Sequence, residues 1–115
     1  MLIKSEISIQ NSIFAFIFNF RMDKKTEEFY VRLKAELEAN TTWPAEYLYK
    51  FIVPSIQDNI DRVEHAFDCM GAVIKTTKSR TGKFTSISVD VQMEGPQQVI
   101  DKYLEVSTIE GIISL

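Results

Sequence analysis

A chain of 115 residues has room for one hydrophobic core and not for two of ordinary size. Hydrophobic residues at 45% and charged residues at 25% are near the globular average, so the chain is expected to fold. A net charge of −3 disfavours a protein whose task is gripping a polyanion, and the single cysteine, Cys69, excludes an internal disulfide and suits a reducing, cytoplasmic compartment.

The first 21 residues hold Phe14, Phe16, Phe18 and Phe20, half of the eight phenylalanines. The apolar block 13–18 is far shorter than the ~18 residues of a membrane span, and no small-residue cleavage site follows it. Period two places the four rings on one face of an added strand. The alternative, which the monotony of Ile, Phe, Asn and Lys favours, is a natural start at Met22 with residues 1–21 as an upstream extension.

Residues 24–39 lack Gly and Pro and are rich in Glu, Lys, Leu and Ala, which predicts a helix. Phe29, Leu33 and Leu37 make a narrow apolar stripe along it. After Pro44, residues 47–53 predict a strand with Tyr49, Phe51 and Val53 on one face and Leu48, Lys50 and Ile52 on the other. Ser55, with Asp58 three residues on, predicts a capping box for a second helix. Ile56, Ile60, Val63, Phe67 and Met70 form its stripe, and Gly71 is placed to end it.

Residues 72–77 and 84–93 predict two strands around the polar turn 78–83. In the second strand Ile87, Val89, Val91 and Met93 alternate with Ser86, Ser88, Asp90 and Gln92, so one face is core and the other wet. Gly95-Pro96 opens a further helix burying Val99, Ile100, Tyr103 and Leu104, and residues 109–115 close the chain as a strand. The order β-α-β-β-α-β predicts an α+β ferredoxin-like plait: a four-stranded antiparallel sheet, two helices on one face, plus the extra N-terminal helix. The domains expected are an extension at 1–21, a helix and linker at 22–42, and the plait at 43–115.

The chemistry must be sought in residues, because this fold hosts many functions. The tight connection Val53-Pro54-Ser55 offers no glycine-rich phosphate cradle, and no cysteine pair sits there to carry a metal. An RNA-binding plait needs stacked aromatics on its open face, yet after Phe84 that face carries Ser86, Ser88, Asp90 and Gln92. His65 and Cys69, four apart on one face of the second helix, lack further ligands or an orienting third group, so an ordinary solvated face outweighs a metal site or a dyad. Lys75, Lys78, Arg80 and Lys83 form a basic cluster on the hairpin, which could touch an acidic partner or a phosphate-bearing ligand; a solvated turn that discourages strand aggregation is the favoured reading.

Three pieces of the chain resemble the bacterial YbeD-like family, a domain of unknown function often described as ACT-like. They are Trp43-Pro44 with Tyr49-Lys50-Phe51-Ile52, then Ser79 through Gly82 and Phe84 to Ser86-Ile87, then Ile109-x-Gly111-Ile112-Ile113-x-Leu115. The resemblance covers residues 43–115 and implies a ferredoxin-like fold, a cytosolic protein and no established catalysis. It also brings a small-molecule-sensing ACT-like dimer, linked by naming to lipoate metabolism, as an alternative. The leading helix departs from the family, as does Val53-Pro54 where a glycine often ends the first strand.

The function expected is a non-enzymatic regulatory or protein-interaction module. Its surface is the hairpin residues Lys75, Lys78, Arg80, Lys83 and Phe84 with the open-face residues Lys50, Ser86, Ser88 and Asp90. No catalytic residue, metal or cofactor is assigned. The partner is an unidentified protein or, in the sensing alternative, a metabolite held by a homodimer. Membrane association is not expected, weak RNA binding ranks third, and an enzyme is the least expected class.

Overall fold

The computed structural model describes residues 24–115, so the expectations for residues 1–21 and for a start at Met22 lie outside the described residues. By contacts the chain divides into two units, Met1–Glu36 and Leu37–Leu115. Helix α1 (Lys24–Asn40) contributes its first 13 described residues to one unit and its last turn to the other. In the second unit the indole N–H of Trp43 donates to the Leu37 carbonyl at 3.2 Å, holding that last turn.

The second unit continues with β1 (Ala45–Pro54), α2 (Gln57–Ala66), β2 (Val73–Lys78), β3 (Phe84–Met93), α3 (Pro96–Val106) and β4 (Ile113–Ser114). It is an α+β arrangement with a four-stranded sheet in the order β2-β3-β1-β4, antiparallel at every pairing. The β1–β3 ladder is the spine, running in register from Ala45 opposite Met93 to Pro54 opposite Phe84.

Period-two alternation built this sheet as the sequence predicts. Along β3 every second residue from Thr85 to Met93 is buried, and Tyr49, Phe51 and Val53 are buried on β1. Both helices of the unit lie on that face: the Tyr49 ring is 5.0 Å from Phe67, just beyond α2, and 5.0 Å from Tyr103 on α3. The Tyr49 hydroxyl donates to the Val99 carbonyl at 3.1 Å, and the Tyr47 and Tyr103 hydroxyls share a hydrogen bond of 2.8 Å. The buried aromatic layer is therefore polar only where a partner receives it, and among the described residues no buried side-chain polar atom lacks one.

Four local expectations are corrected. Ser55 does not cap α2, because its hydroxyl is bonded to that of Thr85 at 2.7 Å; extended Ile56 stands at the cap, without a side-chain bond. Helix α2 stops at Ala66 rather than near Met70. The Phe67 N–H turns back to Glu64 and that of Asp68 to His65, tightening the chain, and Cys69 then takes φ 63° before Gly71 at φ 70°. The apolar stripe accordingly buries Val63, Ala66 and Phe67 while Ile56 is exposed. Finally, the closing strand is two residues, not seven, since residues 107–112 form a turn instead.

That turn brings Gly111, at φ +82°, against β1. A Cβ there would come 2.9 Å from Pro54 Cγ, so both the backbone and the contact require glycine.

Candidate functional site

Strand β2 enters the hairpin at Lys78 and β3 leaves it at Phe84. The Ser79 N–H donates to the Phe84 carbonyl at 2.7 Å and the Phe84 N–H returns to the Ser79 hydroxyl at 3.1 Å. Gly82, at φ +79°, donates to the Ser79 carbonyl at 2.9 Å. The turn is thus closed on itself by these bonds, and the Arg80 and Lys83 side chains stand in solvent. It is also anchored: the Ser55 N–H donates to the Lys83 carbonyl at 2.9 Å, tying the hairpin to the β1–α2 connection.

Cross-strand register decides which predicted residues meet. Lys50 stands opposite Ser88, and Ser88 opposite Lys75, so one row across three strands carries two cations about 10 Å apart, two strand spacings. The next row is Ile52, Ser86 and Thr77, with Ile113 beyond Ile52. On the other side lie Leu48, Asp90 and Val73, and Phe84 ends the face opposite Pro54. Six of the nine predicted residues therefore share the open face or its end. Arg80 and Lys83 belong to that group through the hairpin, while Lys78 does not lie in the rows. It pairs with buried Thr85, which sets its side chain on the helix-bearing side of the sheet at the edge. Within the unit no helix covers the open face.

Of the apolar part of this surface, sequence reasoning named Phe84 and missed Leu48, Val73 and Ile113. All four are exposed, at 45%, 54%, 58% and 51% respectively, and all lie on the same side. The signal was present in the parity of Leu48 with Lys50 and of Val73 with Lys75, but an apolar residue on a strand reads by default as core. Among the described residues none of Lys50, Lys75, Lys78, Arg80 and Lys83 makes an ion pair.

His65 and Cys69 do not form a pair. His65 Nδ1 is 2.8 Å from Asp68, and Cys69 lies beyond the helix in left-handed backbone, so the shared helix face does not exist. A depression of about 480 Å³ lies between α2 and the end of α3, floored by Ala66, Val106 and Ile109. Its rim is already engaged: Arg62 donates to Thr108 at 2.9 Å, Asp61 accepts from Gln57 at 2.8 Å, and Glu105 pairs with Lys102 at 2.9 Å. Lys102 also donates to the Ala66 carbonyl at 2.6 Å, so this corner joins two helices. No described helix is long and apolar enough to cross a membrane. The described residues contain no cluster of three or more metal-ligating His, Cys, Asp or Glu.

A family model described as a protein of unknown function, DUF493, matches residues 38–115, from the last turn of α1 to the final residue. The chain belongs to the DUF493 family. YbeD-like proteins belong to the same family, so the resemblance carried by the Trp43, hairpin and C-terminal pieces is a true kinship. The matched span coincides within one residue with the unit Leu37–Leu115, which makes that unit the DUF493 domain. Comparison with curated proteins gives no match.

Proposed function

We propose that the DUF493 domain of this chain is a non-catalytic, cytoplasmic protein-interaction module built on a ferredoxin-like plait. The plait assignment is supported by the strand order with β1 and β3 central, by antiparallel pairing throughout, and by two helices on one face. The observation that carries the interaction reading is the open face: exposed Leu48, Val73, Phe84 and Ile113 surround the cationic row Lys50–Ser88–Lys75. Apolar residues gathered on one exposed surface beside polar and charged groups mark contact with another macromolecule, whereas the same residues scattered singly need no explanation.

The test compares the full-length chain with its K50E/K75E variant as baits in lysate of the source organism. A captured protein is then titrated into isotope-labelled bait. The module reading expects a protein retained by the parent, lost by the variant, and shifting open-face amides of β1 and β3. Equal retention by both baits, or shifts confined to the helix face, overturns it. Circular dichroism of the variant checks that its fold is intact.

A further inference from the structure

Among the described residues, strand β2 is the long free edge of the sheet. It ends the strand order and its ladder among the described residues is with β3 alone. Six residues from Val73 to Lys78 therefore hold about three N–H and three C=O groups outward, where antiparallel pairing leaves alternate backbone groups free. The opposite edge, β4, offers two residues.

This edge has an unusual charge. Residues 73–84 carry Lys75, Lys78, Arg80 and Lys83 and no carboxylate, a charge of +4 in a chain of net −3, so the rest of the chain carries −7. Lys75 projects on the open face and Lys78 on the other, so a strand laid alongside β2 meets a cation on each of its sides. Val73, exposed beside them, gives it one apolar contact. A second copy of the chain is disfavoured, because a two-fold β2–β2 seam gathers both copies of Lys75 and Lys78 along one line.

We propose that the outer edge of β2 accepts an extended acidic segment of a partner protein as a fifth strand. Backbone hydrogen bonds supply affinity, and carboxylates three residues apart, opposite Lys75 and Lys78, supply selection. The same lysines, which repel basic strands and cost desolvation against apolar ones, then discriminate in favour of this one. The proposal rests on the interaction-module reading and names the partner's chemistry.

The probe is a capped, fluorescein-labelled octapeptide of valine and threonine with glutamates at its third and sixth positions, titrated against the full-length chain by anisotropy. Two versions with alternate amides N-methylated, one at odd and one at even positions, separate backbone pairing from charge attraction. Expected are saturable binding, shifts of β2 amides, loss of binding in one methylated version, and roughly tenfold weakening in K75E/K78E. Equal binding by both methylated versions shows charge attraction alone and overturns the proposal. Absence of binding overturns it, as does tighter binding of an RNA oligonucleotide of equal length at the same salt. A lysate partner that maps to the open face while the octapeptide fails leaves the module standing and removes only the edge-strand assignment.

Discussion

Tyr49 shows how much one residue does in this core. It is fully buried, stacks within 5.5 Å of Phe51, touches Phe67 and Tyr103, and sends its hydroxyl to the Val99 carbonyl. Burial, with smaller contributions from Tyr103, Tyr47 and Asp101, pushes its pKa up well beyond the ordinary tyrosine range. The unfolded chain then releases this proton above about pH 10 while the folded chain keeps it, so stability falls as pH rises through that region. Denaturant titrations from pH 8 to 11 are expected to show this decline, and in Tyr49→Phe the decline is expected to be shallower, on a lower baseline. Phe67 sits at 2% exposure beneath Lys102, whose ammonium is 5.7 Å from the ring centroid. Phe67→Ala is expected to cost about 3–5 kcal/mol, much of the stability of an ordinary domain, read as a lowered urea midpoint. Both residues were legible in the sequence as core. Their partners were not, because Tyr49 and Val99 are 50 positions apart and only docking of α3 brings them together.

At the level of elements, strands were read more accurately than helix ends. Strand faces follow from local alternation, and the burial of β1 and β3 agrees residue by residue. The ends of α2 depended on competition between bonds: Ser55 was suited to cap a helix, yet Thr85, 30 residues away, takes its hydroxyl. Strand β4 was read too long because Ile109, Ile112 and Ile113 look strand-like, whereas Ile109 is buried as the anchor of a turn. These differences predict the pattern of hydrogen exchange. Amides in the β1–β3 ladder, flanked on both sides, are expected to exchange slowest; those of β4 and the outer edge of β2 exchange fastest, by orders of magnitude. Uniform protection across the four strands would contradict this order.

For the molecule as a whole, the unit Leu37–Leu115 has its own sheet, helices and core, and the family match begins one residue into it. A protein starting at Leu37 is therefore expected to unfold in a single cooperative transition, with coincident near- and far-ultraviolet dichroism. Non-coincident transitions would show that earlier residues are needed to complete the core. The division by contacts falls at Leu37, and Trp43 bonds back to the last turn of α1 within the second unit.

The sequence by itself determined the order of elements, the buried face of each main strand, and the basic character of the hairpin, since all of these follow from local period and composition. Only the tertiary structure decided that Lys50, Ser88 and Lys75 form one row and that Lys78 stands apart from it. It also decided that Leu48, Val73 and Ile113 join an exposed surface rather than a core. The physical reason is register. Period two fixes which side of its own strand a residue occupies, but which residues stand beside it, and whether a helix covers them, is set by packing among segments distant in the chain.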